Sequence, residues 1–134
     1  MKRVLTTSLL IAALTLPVLA AAPTPPTLPP TAKKLTGPEI VKLYDGATIT
    51  WNNFTQKTEM AGTTTFDFKK GTQTGTWEGG GKKGTFTGKI RVKGDLWCYK
   101  IGNNKETCDS VYMDGQDIYE VNAKGVVDSQ NKKQ

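Results

Sequence analysis

Apolar and polar residues alternate along most of the chain after residue 47. Ile49 and Trp51 are separated by a polar residue, as are Phe66 and Phe68 in the next apolar stretch. Such alternation is typical of β-strands, because successive side chains of a strand point to opposite faces. Short Gly-, Asn-, Asp- and Lys-containing turn sequences separate the stretches, and no proline follows Pro38. The pattern predicts a mainly β fold, an antiparallel meander of about 7–8 strands closing into a small barrel or folding as a sandwich.

The residues before this region predict one short N-terminal helix. Thr36 and Glu39 have the spacing of a capping box, and Pro38 suits a first helical turn. We expect the helix to span roughly 37–44 and to end near Gly46. It could plug one end of a barrel or cover an edge of the sheet.

The first 20 residues have the composition of a signal peptide. Lys2 and Arg3 precede an apolar stretch, and small residues lie near Ala20, where cleavage is expected. The alternative is an uncleaved N-terminal anchor. Cleavage predicts a periplasmic or secreted protein with no transmembrane segment in its mature form.

Proline and threonine dominate residues 21–34. This composition favours extended polyproline II structure and predicts a linker. Residues 35–134 would then form a single β domain.

A repeated pentapeptide in residues 75–88 raises the possibility of a phosphate-binding loop. Its spacing differs from that of such loops, and a predicted strand follows instead of a helix. We therefore expect a hairpin around a four-residue loop, residues 80–83, with Trp77 opposite Phe86 and Thr76 opposite Thr87.

The next turn extends this arrangement by placing Ile90 opposite Trp97, while glycines in the facing strands leave room for large rings. The resulting surface is the candidate interior. Its candidate ligand-lining residues are Trp51, Trp77, Phe86, Ile90 and Trp97. The alternative is that these side chains fill a core and leave no cavity.

Cys98 and Cys108 are the only cysteines of the chain. An even number in an exported protein predicts a disulfide, and their ten-residue separation is unlike that of a redox Cys-x-x-Cys pair. A hairpin around residues 102–104 would place them opposite each other and would bring Lys100 opposite Glu106.

That register leaves one question open about the following strands. It places Asp109 and Glu120 side by side near Trp97, while Tyr112 and Tyr119 lie on the other face. Either a bulge reverses the faces after the cysteines, or one face carries exposed aromatic residues. Without the reversal, the two carboxylates form a candidate acid–base pair.

Composition argues against most catalytic chemistry. The chain has no histidine, so the usual general base near neutral pH and the usual metal ligand are absent. We expect no enzymatic activity, no cofactor and no metal. The formal net charge of +6 includes a candidate basic surface of Lys82, Lys83, Lys89 and Arg91, for which we expect no nucleic-acid partner.

Three motifs together resemble a family of small secreted bacterial proteins known as domain of unknown function 995. They are Leu43-Tyr44-Asp45-Gly46 at the helix end, Gly75-Thr76-Trp77, and Gly94-Asp95-Leu96-Trp97-Cys98 followed by Cys108. The order of one helix and then a meander is also similar to lipocalin-like barrels.

The leading hypothesis is a small binding module for an apolar or amphipathic ligand. The alternative is an envelope-associated interaction or inhibitor protein that uses its basic surface to contact a protein partner.

Overall fold

The computed structural model describes residues 21–134, so the predicted signal peptide lies outside the described residues. One helix, α1 (Gly37–Tyr44), follows a two-residue strand, β1 (Lys33–Lys34). The other strands are β2 (Thr48–Asn53), β3 (Met60–Asp67), β4 (Thr72–Gly79), β5 (Lys82–Lys93), β6 (Leu96–Ile101), β7 (Thr107–Asp114), β8 (Asp117–Val121) and β9 (Val127–Lys133).

Strands β2 to β9 form a closed antiparallel sheet. Each strand pairs with the next along the chain, and β9 returns to pair with β2. The fold is therefore a small, lipocalin-like barrel of eight strands with one helix, which confirms the predicted fold class. The sandwich alternative is wrong, because pairing continues around the whole sheet.

Helix α1 has the predicted bounds and the predicted cap. The Glu39 carboxylate accepts hydrogen bonds from the Thr36 backbone N–H at 2.7 Å and from the Thr36 hydroxyl at 2.8 Å. Gly46 follows the helix with a φ of +68°, a conformation that favours glycine. Ile40 and Tyr44 are fully buried.

Tyr44 shows that α1 closes one end of the barrel. Its ring lies 4.8 Å from that of Phe66 on β3 and 4.9 Å from that of Trp97 on β6. Its hydroxyl donates to Glu120 on β8 at 2.8 Å. These strands belong to different walls of the barrel, so the side chain lies between the walls.

The hairpin of β4 and β5 has a shorter turn than predicted. Gly80 and Gly81 form a two-residue loop with φ of +58° and +75°, as a type I′ turn requires. Trp77 consequently faces Gly84 and not Phe86, and Thr76 faces Thr85 and not Thr87. Because the error is two residues, every side chain remains on its predicted face.

The β5–β6 hairpin shows the same kind of difference. Ile90 faces Tyr99, and Trp97 faces Val92, where the sequence predicted that Ile90 and Trp97 would be paired. The turn consists of Gly94 and Asp95, and the Asp95 carboxylate accepts from the Gly37 N–H at 2.8 Å. This bond joins the turn to the first residue of α1.

Large rings and glycines alternate across four neighbouring strands. Trp51 on β2 faces Gly62 on β3, which in turn faces Trp77 on β4, and Trp77 faces Gly84 on β5. A side chain at Gly84 would lie within 2.8 Å of the Trp77 indole. The glycines therefore provide the space into which the rings extend.

Threonines cover the outer face of β2 to β5 in two rows. Each row crosses all four strands in register, and the hydroxyl pairs Thr48–Thr65 and Thr63–Thr76 lie 3.0 Å apart. The rows are Thr48, Thr65, Thr74 and Thr87, and Thr50, Thr63, Thr76 and Thr85. This polar outer face accounts for the alternation seen in the sequence.

The predicted disulfide is present. Cys98 on β6 and Cys108 on β7 are direct cross-strand partners with a Cα–Cα distance of 4.1 Å. The pairs Cys98–Cys108 and Tyr99–Thr107 have the predicted register, which leads toward Lys100 and Glu106, and the Glu106 carboxylate forms an ion pair with Arg91 at 2.6 Å.

The faces of β7 and β8 are not reversed. Asp109 and Glu120 are buried inside the barrel, and the side chains of Tyr119, Val121 and Val127 form a second apolar cluster on the outer face. A β-bulge does occur, but it lies opposite Glu120 and Val121, in β9.

The proline-rich segment covers this outer cluster. Leu28 packs against it, and Lys33–Lys34 pairs with Met113 and Tyr112 of β7. At Leu28 and at Lys33–Lys34, the segment predicted as a linker is thus in contact with the barrel. This contact explains how outward-facing Tyr119 becomes buried. The sequence had suggested either a reversal of the faces or exposed aromatic residues, and neither alternative included such a cover.

We expect Gly75→Ala to destabilise the barrel. A methyl group at this position would meet the Phe86 ring at 2.7 Å and the Thr63 carbonyl oxygen, so the free energy of unfolding should fall by about 1–3 kcal/mol. Urea unfolding measures this change. Thr74→Ala, on the exposed face of the same strand, is the matched control, and equal effects of the two substitutions would contradict the role assigned to glycine.

We expect replacement of both Cys98 and Cys108 by Ala to lower the free energy of unfolding by about 2.5–3 kcal/mol, because the unfolded chain loses a closed loop. Urea unfolding under oxidising conditions measures the difference. Adding a reductant should lower the stability of the wild type by a similar amount and leave the variant unchanged. An unchanged wild type would show that the disulfide contributes nothing.

Candidate functional site

A cavity of about 390 Å³ opens at the end of the barrel away from α1. Its mouth lies where β2 ends and β3 begins, and beside the loop that joins β6 and β7. Asn53, Met60, Asn104 and Lys105 line this part. Since α1 closes the other end, the cavity has one opening.

Aromatic rings form the wall. Trp51, Trp77 and Phe86 are half-buried near the mouth, and the rings of Trp51 and Phe86 meet edge to face with centroids 6.4 Å apart. The Trp51 indole N–H donates to the Thr64 hydroxyl at 3.0 Å, which fixes the orientation of the ring. Tyr99 continues the wall toward the floor.

Four of the five predicted ligand-lining residues line this cavity: Trp51, Trp77, Phe86 and Trp97. The fifth, Ile90, is outside the lining and lies in the apolar core, where it is 6% exposed. The four are not equivalent. Trp97 is 2% exposed and contacts Tyr44, Phe66 and Phe68, so it belongs to both the core and the cavity floor.

The floor is polar and is built around Glu120. Its carboxylate accepts hydrogen bonds from the Tyr44 hydroxyl at 2.8 Å, the Ser129 hydroxyl at 3.1 Å and the Asn131 side-chain amide at 3.1 Å. Glu120, Ser129 and Asn131 all line the cavity. The Asn131 side-chain oxygen has no hydrogen-bond partner among residues 21–134, although Asn131 is only 3% exposed.

Burial and hydrogen bonding act in opposite directions on Glu120. Burial raises the pKa of its carboxyl above the usual range, and hydrogen bonds from Tyr44, Ser129 and Asn131 offset only part of this rise. Burial and the charge of Glu120 raise the pKa of the Tyr44 hydroxyl, so this hydroxyl remains a proton donor.

Asp109 lies beside this floor without being part of the cavity lining. It is 1% exposed, and within the described part of the chain no group donates to either of its oxygens. Burial, together with the charges of Glu120 and Asp128, raises the pKa of Asp109 to about 7. The predicted proximity of Asp109 and Glu120 is therefore present, inside the barrel.

Sequence reasoning missed Ser129 and Asn131. Both lie on the inner face of β9, whose sequence, VDSQNKK, has almost no apolar residues to reveal an alternation. Only Asp109 and Glu120 indicated a polar interior, and their significance depended on an undecided register.

The predicted basic surface does not form one cluster. Lys82 and Lys83 are exposed next to the Gly80–Gly81 turn, whereas Lys89 and Arg91 lie farther along β5 on the outer face. Arg91 binds the Glu106 carboxylate through two hydrogen bonds of 2.6 and 2.9 Å. One of the four charges is thus already paired.

Comparisons with protein-family models, with curated proteins and with solved structures find no match to this chain. Residues 21–134 contain no helix of sufficient length and apolar character to cross a membrane. The disulfide fits a periplasmic or secreted protein.

We expect Asp109→Asn to stabilise the protein at neutral and higher pH. The pKa of Asp109 is near 7 in the folded protein and about 3.9 in an unfolded chain, so between these values the unfolded state binds fewer protons. The contribution of Asp109 to stability is therefore complete below a pH of about 4 and is lost by a pH of about 7. The loss should amount to about 2–4 kcal/mol.

Urea unfolding of wild type and variant from acidic to alkaline pH measures this difference. The advantage of Asp109→Asn should grow as pH rises through that window and then level off. Asp114→Asn, near the end of the same strand, is the matched control. A difference between wild type and Asp109→Asn that is independent of pH would contradict the raised pKa.

Proposed function

We propose that this protein is an exported, non-enzymatic binding protein that holds a small apolar or amphipathic ligand in the barrel cavity. The observation that carries the proposal is the combination of a single opening, an aromatic wall and a polar floor. A volume of about 390 Å³ falls within the range of small-molecule sites, which are commonly apolar with a few converging polar groups.

The partial exposure of the inward-pointing aromatic residues supports a cavity and argues against a filled core. Trp51, Trp77 and Phe86 remain half-buried although they point inward. Fully packed interior residues outside the cavity lining, such as Ile118 and Val111, are 0% exposed. The barrel is thus tightly packed near α1 and open near the mouth.

The carboxylates give little support to an enzymatic alternative. Asp109 lies outside the cavity lining, and Glu120 is bound by three donors that also hold it in place. A general acid or base has to reach the proton that it transfers. Glu120 is better suited to positioning a bound group.

The alternative of a partner-binding basic surface has weaker support, because Arg91 is paired and the remaining lysines are dispersed. Membership of the family of domain of unknown function 995 also remains a prediction. Export rests on the predicted signal peptide and on the disulfide.

Trp77 and Trp97 provide a test that separates a binding site from a core. The neutral fluorescent probe N-phenylnaphthylamine should bind the wild type saturably. Trp77→Ala should weaken binding about tenfold, because it removes a large ring from the wall, and should leave the protein folded. Trp97→Leu should lower the free energy of unfolding by about 2–4 kcal/mol, because it leaves a void in the core.

Probe fluorescence and urea unfolding measure these effects. Val126→Ala, at the exposed apolar residue Val126 outside the cavity, should change neither binding nor stability. Absence of saturable binding to the wild type, or unchanged binding to Trp77→Ala, would overturn the proposed function.

A further inference from the structure

The cavity floor contains a hydrogen-bond acceptor that the protein does not satisfy. Asn131 lines the cavity, and its side-chain oxygen is buried and has no donor among the described residues. A buried acceptor without a donor is costly, so a bound group that donates hydrogen bonds would be stabilised here.

The titratable side chains around the floor are acidic. Glu120 lines the floor, and Asp109 and Asp128 on the neighbouring strands lie close enough to influence each other's protonation. Within the described chain, Lys105 is the one basic residue of the cavity lining, and it lies at the mouth in an exposed loop. No positive side chain of the lining therefore offsets the buried carboxylates.

The other titratable groups near the floor add no positive charge. Tyr44 from α1 and Tyr99 from β6 have raised pKa values and remain neutral. The Tyr44 hydroxyl already donates a hydrogen bond to Glu120. A cation bound beside these carboxyls would stabilise their ionised form, so the floor favours an incoming cation over a neutral group, and a neutral group over an anion.

The aromatic wall favours the same class of ligand. Trp97 and Tyr99 line the cavity next to the floor, and their rings lie 6.3 Å apart with a tilt of 33°. Indole and phenol faces attract ammonium and guanidinium groups, more strongly where water is excluded. Trp51, Trp77 and Phe86 nearer the mouth would contact an apolar remainder.

We propose that the ligand is an amphipathic organic cation whose ammonium-type group binds Glu120 and Asn131 at the cavity floor while its apolar part lies among the aromatic rings near the mouth. This inference rests on the proposed function, since it specifies the ligand of the same cavity. An ammonium group has three donors and no acceptor, which matches a floor with a free acceptor and a carboxylate.

Three probes of closely similar shape test the charge preference. Naphthylethylamine is cationic, naphthylethanol is neutral and naphthylacetic acid is anionic at a pH of about 8, where the Asp109 carboxyl is largely ionised. Isothermal titration calorimetry of the full mature chain should show the amine binding at least about tenfold more tightly than the alcohol. The carboxylate should bind more weakly than both.

Glu120→Gln is the decisive variant because it keeps the size of the side chain and removes the carboxyl that can ionise beside a bound cation. It should reduce the preference for the amine over the alcohol to about threefold or less and leave alcohol affinity nearly unchanged. Asp109→Asn is the second variant. It should reduce the preference less, because Asp109 does not line the cavity.

The outcomes separate the two proposals. Equal binding of amine and alcohol, or an amine preference that survives in Glu120→Gln, would overturn the cationic ligand and leave the binding cavity in place. Failure of all three probes to bind would overturn the binding function and the cationic ligand together. If Glu120→Gln does not fold, retention of the full amine preference in Asp109→Asn would count against the inference.

Discussion

The limited space inside an eight-stranded barrel is the constraint on which the rest of this structure depends. Such a barrel is barely wide enough for its own side chains. This chain nevertheless directs three tryptophans and several other rings inward. The cross-strand alternation of Trp51, Gly62, Trp77 and Gly84 resolves the conflict, because each ring extends over a position that has no side chain. The same arrangement leaves the mouth open while the region near α1 is filled.

Much of this architecture could be predicted from the sequence, because local chemistry determines it. The capping box specified α1, and period-two alternation specified the strands and their inner faces. The cysteine spacing specified the cross-strand disulfide. The hairpin registers were less predictable. Gly80 and Gly81 alone can close a two-residue turn, in which case Lys82 and Lys83 belong to the strand. The same two lysines can equally belong to a four-residue loop. The resulting error of two residues preserved the faces but changed the partner of Trp77 on β5 from Phe86 to Gly84.

The candidate site was only partly predictable, for a different reason. Aromatic wall residues have a clear pattern, and four of the five predicted positions reached the cavity. The polar floor has no such pattern, since Ser129 and Asn131 resemble ordinary surface residues in the sequence. Their role appears only when β9 closes the barrel beside Glu120. The burial of Tyr119 depended in turn on Leu28, which belongs to a segment whose composition gave no indication of packing.

Closure of the sheet also has a consequence for the behaviour of the protein at high concentration. Strand β6 pairs only with the first three residues of β7, which end at Asp109. On the same edge of β7, strand β1 pairs with Tyr112 and Met113. The two residues of β1 thereby occupy backbone groups that would otherwise form a short free edge. Free strand edges recruit strands from other molecules and promote aggregation. The small strand Lys33–Lys34 thus protects the barrel from intermolecular strand addition, and its two exposed lysines discourage another chain from extending the sheet beyond it.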